Sequence, residues 1–311
     1  MLVFIVVLAV LANLCSADFV TMLQNDNKVG KLSLVSSVDG SILKQSEPTA
    51  TFTWPYVEMT TDTTNKKIYS VVFPDDSNSS VLYQHNADLS LEYTWPDTSF
   101  WFFDLQFAPT QNTLYGIKVT STYGRTLSRF TAVPGEKTVS AEELFTLPYM
   151  WYVNASSYHA QANKYFALCN YFPGKPESTL AQKLTVCDFS FGADCQVLDI
   201  DASAGILQFI SYSQKTSSLY FASMQDGVAK VGTIDPLTGK ITSILFSKTA
   251  KSLGPLVAEE DIESLAVFFR FSSWELWHVP YKTTAVNGMR VHTYSPTTDF
   301  ASFSAASRLQ E

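Results

Sequence analysis

The chain has 311 residues, 16% of them charged and 46% hydrophobic, and a formal net charge of −8. With 22 Phe, 15 Tyr and 6 Trp it can bury far more apolar area than ordering its backbone costs, which excludes a disordered chain. The acidic balance, with no Lys/Arg stripe, argues against a nucleic-acid partner and against an anionic membrane surface.

The first element is an apolar leader from Leu2 to Leu11 that ends in Cys15-Ser16-Ala17, small residues of the kind a signal peptidase reads. A run of about 10 apolar residues is too short to span a bilayer, so residues 1–17 read as a cleavable signal peptide. The leader has no Lys or Arg in its n-region, and a membrane anchor is the competing reading. A secreted, extracellular protein with no membrane contact after cleavage is expected; the lumen of the secretory or endolysosomal system is the alternative. Residues 18–311 then form one domain.

Residues 18–48 contain three predicted strands, at 19–23, 31–38 and 42–45, with Val38-Asp39-Gly40-Ser41 as a turn between the last two. A phrase then recurs: Phe52-Thr53-Trp54-Pro55, Tyr93-Thr94-Trp95-Pro96 and Phe145-Thr146-Leu147-Pro148. Each copy precedes a strand-like run. A second phrase follows, a polar turn leading into an apolar strand, as in Asn65-Lys66-Lys67-Ile68-Tyr69, Gln111-Asn112-Thr113-Leu114-Tyr115 and Thr216-Ser217-Ser218-Leu219-Tyr220. Hairpin signals such as Val133-Pro134-Gly135-Glu136 and Asp235-Pro236-Leu237-Thr238-Gly239 complete the unit. Stretches such as 183–187 and 228–234 alternate with a period of two, and no long window keeps a period of 3.6, so helix content should be low.

Each unit therefore reads as four strands, a to d, over about 45 to 50 residues, the length of a propeller blade. The blades fall near 49–95, 96–147, 148–200, 201–248 and 249–295. The strands of 18–48 and a last one at 299–303 make a sixth, which closes the ring and removes its exposed edges. Six blades need about 49 residues each, as spaced; seven would need about 42, and five- or seven-bladed rings or a pair of β-sandwiches are the alternatives. The fold class is all-β, a β-propeller. In repeat length and turn chemistry residues 18–311 resemble the six-bladed propellers of the TolB-like and gluconolactonase-like kind.

Three cysteines follow the leader, Cys169, Cys187 and Cys195; one disulfide and one thiol is the simplest account. Cys187 and Cys195 flank a hairpin, and Cys169 with Cys187 across adjacent strands is equally open. Asn78 in the sequon Asn78-Ser79-Ser80 is a glycosylation candidate in an exposed turn; Asn154-Ala155-Ser156 is a second sequon. The group 259–263, with three Glu and one Asp, reads as a solvated a–b turn. Trp101, Trp151, Trp274 and Trp277 read as inter-blade packing.

Strand a lines the channel of a propeller, so equivalent positions there form a ring. Counting eleven residues back from Tyr69, Tyr115 and Tyr165 reaches Glu58, Asp104 and Asn154. Two carboxylates sharing a channel mouth need a cation, a shared proton or an arginine, and hard oxygen ligands suit Ca²⁺ or Mg²⁺. The lactonase-like resemblance implies these three as ligands of a channel metal that polarises a carbonyl for attack by water. In any axial channel, polar residues also sit simply hydrated. If Asn154 faces that channel it cannot carry a glycan. No catalytic signature is present, and the expected function is a secreted interaction module for a protein or glycan ligand. The alternative is a metal-dependent hydrolase or lactonase.

Overall fold

The computed structural model describes residues 18–24, 29–36, 38–47, 50–51, 57–73, 79–119, 124–147, 152–171, 181–190, 192–260, 262–282, 288–294, 299–300 and 307–308. The leader, Asn78 and Trp151 lie outside them.

The first described strand is β1 (Asp18–Gln24), followed by β2 (Val29–Ser36), β3 (Ile42–Gln45) and the short β4 (Ala50–Thr51). Blade 1 is β5 (Val57–Asp62), β6 (Lys67–Val72), β7 (Val81–Asn86) and β8 (Leu91–Trp95). Blade 2 is β9 (Trp101–Ala108), β10 (Thr113–Val119), β11 (Arg125–Ala132) and β12 (Val139–Leu147). Blade 3 is β13 (Tyr152–His159), β14 (Lys164–Tyr171), β15 (Ala181–Asp188) and β16 (Asp194–Asp199). After a single 3₁₀ turn at Ala202–Ala204, blade 4 is β17 (Ile206–Ser213), β18 (Ser218–Gln225), β19 (Val228–Ile234) and β20 (Ile241–Thr249). Blade 5 is β21 (Ser252–Glu259), β22 (Ser264–Arg270), β23 (Trp274–Pro280) and β24 (Met289–Thr293). Two short strands end the chain, β25 (Asp299–Phe300) and β26 (Ser307–Arg308).

Blades 1 to 5 are antiparallel meanders in chain order, and the closing blade has the order β25-β1-β2-β3. There β1 is gripped twice on its inner edge: Leu23 opposes Phe300, and Phe19 opposes Arg308. The C-terminal segment thus supplies strand a of the sixth blade, as predicted, through the described residues 299–300 and 307–308. Strand β2 stops at Ser36, earlier than predicted, because the Gly40 amide turns back to the Ser36 carbonyl. Gly40 can do this at φ +71° because it has no Cβ, which would fall 2.4 Å from the His292 Cβ of blade 5.

The hydrophobic core is divided by seam. Six buried apolar clusters occur among the described residues, and each joins two neighbouring blades. Val20 and Leu32 of the closing blade pack on Met59 and Ile68 of blade 1. On the other side Val35 packs on Phe268 and Trp274 of blade 5, so the ring has a core at every seam, the closing ones included. Trp277 packs with Phe246 across the blade 4–5 seam, as expected for a seam tryptophan, whereas Trp101 is 39% exposed and is no packing residue.

Two devices repeat around the ring. The residue before strand b of blades 1 to 5 has positive φ: Lys66, Asn112, Asn163, Ser217 and Glu263 lie between +50° and +55°. This is the left-handed residue of the a–b turn, where Asn is the best tolerated after Gly. The second device is a seam hydrogen bond. A side chain two residues before the end of strand a meets the next blade's strand a: Thr60 accepts from the Phe107 amide at 2.9 Å, Ser157 from Tyr212 at 2.9 Å and Ser211 from Ala258 at 3.0 Å. In blade 2 the position is Gln106, whose amide donates to Ser156.

Candidate functional site

The inner strands carry the predicted ring residues. Glu58 lies in β5 opposite Val71, and Asp104 in β9 at a β-bulge, between pairs Phe103–Ile117 and Gln106–Tyr115. A bulge inserts one extra residue, which re-aims its side chain and shifts the pairing beyond it by one. Asp104 also has φ +55°, a left-handed residue inside a strand. What holds it there is visible. Its carbonyl oxygen accepts from the Tyr165 hydroxyl at 2.9 Å and the Ser156 hydroxyl at 3.0 Å, both from blade 3.

The two carboxyl groups are brought together and kept from water. Asp104 is 2% exposed, and its Oδ2 has no hydrogen-bond partner among the described residues. Burial raises the Asp104 pKa from 3.8 to about 7. Burial also pushes Glu58 well above the ordinary carboxylate range, and repulsion from Asp104 pushes it further. A buried carboxylate pair is unfavourable when both members are ionised, so the site is built to retain a proton or to receive a counter-ion. Tyr165, buried beside it, is raised well above its ordinary value for the same two reasons.

The third ring residue is placed differently. Asn154 lies in β13 and its side chain is outside the described residues. Counting back from Tyr165 slips by one. Lys67, Thr113, Lys164 and Ser218 open their b strands opposite the last residue of strand a, so the equivalents of Tyr69 and Tyr115 are Phe166 and Tyr220. Tyr165 stands on the opposite face, packing toward blade 2, while Phe166 packs toward blade 4. The slip is absorbed by a bulge. Asn154 is the extra residue between Val153 and Ala155, and Gln208 is the extra residue between Leu207 and Phe209 in blade 4. The oxygen-bearing positions of blades 2, 3 and 4 are therefore all bulge residues, a feature the period of two conceals. Among the described residues no group of three or more His, Cys, Asp or Glu side chains is disposed to hold a metal. The described carboxylates alone supply two ligands.

The second sequon is part of the same construction, since its Ser156 hydroxyl is committed to the Asp104 carbonyl. The acidic turn is solvated only in part, at the exposed Glu263, and its Asp261 lies outside the described residues. Glu259 is fully buried. Glu260 reaches into blade 4 and accepts from the Ser213 hydroxyl at 2.9 Å and the Gln214 amide at 2.7 Å. Glu263 pairs with Lys215 at 2.8 Å. Glu260 and Glu263 bind one a–b turn to the next, and only their neighbours in space reveal it.

Cys187 and Cys195 form the disulfide, with Cα atoms 4.1 Å apart at directly opposed positions of β15 and β16. Cys169 faces Lys183 instead, is fully buried, and has a thiol that burial raises to about 12. It is an inert core residue.

A second concavity lies at the blade 1–2 seam, at the end of the ring where the a–b and c–d turns lie. It holds about 460 Å³ and is lined by Asp62, Lys67, Tyr69, Gln84, Phe107 and Asn112, among others. Nothing in the sequence marked it, because its walls come from two blades.

No family model and no curated protein matches this chain. Its fold matches solved structures. TolB from Acinetobacter baumannii superposes with TM-score 0.62 at 12% identity, over 95% of this chain and 67% of that one. A chain of a nidogen/laminin complex gives 0.64 at 8% identity, over 94% and 98%. The β-propeller domain of Cps50 (Swd1) from Myceliophteria thermophila gives 0.52 at 9%, over 90% and 88%. At such identities the likeness is one of fold.

Proposed function

We propose that this six-bladed β-propeller is a secreted binding module for a protein or glycan ligand. The observation that carries the reading is the seam-by-seam core. Each blade is anchored to both neighbours, so the turns at the ends of the ring are held on a rigid frame, the arrangement in which loops carry recognition. One structural neighbour comes from a nidogen/laminin complex, an assembly of two proteins.

A second reading rests on Asp104. Its buried Oδ2 without a partner, beside Glu58, suits an oxygen-ligated cation such as Ca²⁺, with the side chains of Asn154 and Gln208 at the matching bulges as further ligands. Such a cation would polarise a carbonyl in the channel, the chemistry of a hydrolase or lactonase.

One experiment separates the two. The full chain is expressed through a eukaryotic secretory pathway, and the recovered protein is sequenced from its N-terminus and screened against arrays of extracellular proteins and glycans. Saturable binding by a product that starts at Asp18 is expected. A product retained in cells with its leader would overturn secretion. Absence of saturable binding, together with Ca²⁺-dependent hydrolysis of simple lactones, would replace the binding reading by the second.

A further inference from the structure

The cleft at the blade 1–2 seam has a chemistry of its own. Its floor is aromatic. Tyr69 of β6 stacks on Phe107 of β9, with ring centroids 5.9 Å apart and planes inclined by 14°, and Phe130 lies beside them. Phe107 is buried whereas Tyr69 is only half-buried, so part of its ring and hydroxyl border the cleft. One wall carries Lys67 and Gln84, held from behind by a fixed polar network. Lys67 Nζ donates to Glu92 and Asn86, each at 2.7 Å, and Gln84 Nε2 donates to the same Glu92 carboxylate at 2.6 Å. Asp62, at the base, is held by Asn65 through a backbone bond of 3.0 Å and a side-chain bond of 2.7 Å. The other wall is Asn112 and Thr113 of the next a–b turn, with Thr131 of β11.

These features select a ligand class. Asp62 and Lys67 are the charged lining residues, and Lys67 is already paired with Glu92 behind it, so the cleft holds no unpaired lining cation for an anion. The negative potential is felt within the site, because Asp62 and Glu92 add to burial in raising the Tyr69 hydroxyl to about 12. A purely apolar ligand would strand the amide and carboxylate groups of both walls. A volume of about 460 Å³ lies in the usual range for a small-ligand site, about 300–1,000 Å³. What remains is a neutral ligand with one apolar face for the aromatic floor and many hydroxyls for the carboxylate, amide and hydroxyl groups around it. We infer that the blade 1–2 cleft is a saccharide-binding site for one or a few neutral sugar rings, with Tyr69 as the stacking platform and Asp62, Gln84 and Asn112 as the hydroxyl partners. The inference rests on the binding-module reading and gives it a place and a ligand class.

The test uses the secreted full chain, an array of neutral and of sialylated or sulfated oligosaccharides, and saturation-transfer NMR with chitotriose, mannotriose and cellotriose as solution probes. Wild type is expected to bind at least one neutral saccharide. Tyr69→Ala should weaken that binding at least tenfold, whereas Tyr69→Phe, which keeps the ring, should change it less than about threefold. Thr131→Trp plugs the cleft from an exposed strand position and should abolish binding with the fold intact, which guards against a Tyr69→Ala protein that merely fails to fold. Lys230→Ala, on the outer half of blade 4, should change nothing. Saccharide binding that survives both Tyr69→Ala and Thr131→Trp would overturn the cleft while leaving the binding module standing. Preference for anionic sugars, or no saccharide bound at all, would overturn the inference, and the protein array then decides the parent reading by itself.

Discussion

Replacing Asp104 by Asn tests the inner-strand site most directly. Asn matches Asp in shape and is among the few residues that accept φ near +55°, so the bulge should be kept. The charge is what changes. Burial pushes the Asp104 carboxyl of the folded chain up from the usual 3.8 to about 7. A raised acid pKa means that the folded state holds the proton more tightly than the unfolded state. Stability from this group is therefore fully present below about pH 4 and is lost as the pH rises through 7. Three pKa units at 1.36 kcal/mol each come to about 4 kcal/mol by pH 8. Structural relaxation and the new amide hydrogens reduce this, so Asp104→Asn should be more stable than wild type by about 2–3 kcal/mol at pH 8 and nearly equal to it at pH 4. Urea unfolding followed by tryptophan fluorescence at pH 4, 6 and 8 reads the difference, and effects of other titrating groups cancel between the two proteins. If the variant is instead less stable at pH 8, the carboxylate is ionised and paired. Repeating the series with 5 mM Ca²⁺ or with EDTA, concentrations chosen at roughly a thousandfold the weakest sensor-type affinities, then shows whether a cation is the partner.

Three further outcomes are expected. His85 is 2% exposed and burial lowers it from 6.5 to about 4, so its neutral form is favoured in the fold. Its contribution is complete above pH 6.5 and is lost as the pH falls toward 4, and His85→Leu should remove an acid limb of about 3 kcal/mol from the urea midpoint profile. Ser211→Ala deletes the acceptor of the Ala258 amide and should cost about 1–2 kcal/mol by the same assay; a change below a few tenths would show that the seam hydrogen bonds do not stabilise the ring. Replacing both Cys187 and Cys195 by Ser opens a loop spanning eight residues and should cost about 2.5 kcal/mol, while Cys169 should resist iodoacetamide until the protein is denatured.

Much of the ring is local and therefore legible in the sequence. A turn is set by the φ of one or two residues, so Asn112, Asn163 and Gly40 announce their turns, and turns spaced by about 49 residues imply six blades. The closing strand near Phe300 follows by counting, because a blade of three strands leaves an edge that one more must cover. The site is not local. Three oxygen-bearing residues can be counted along strand a, but a period of two cannot register an extra bulge residue, so Tyr165 passes for an equivalent of Tyr69 while facing the other way. Nor does composition say that Asp104 is left-handed and dry, that Glu260 grips blade 4, or that Tyr69 and Phe107 floor one cleft. Residue type and spacing by themselves determined the repeat, the closure and the count of one disulfide and one thiol. Which cysteines join, which carboxylates lose their water and which walls face each other depend on distances across strands and blades, and only tertiary packing sets those.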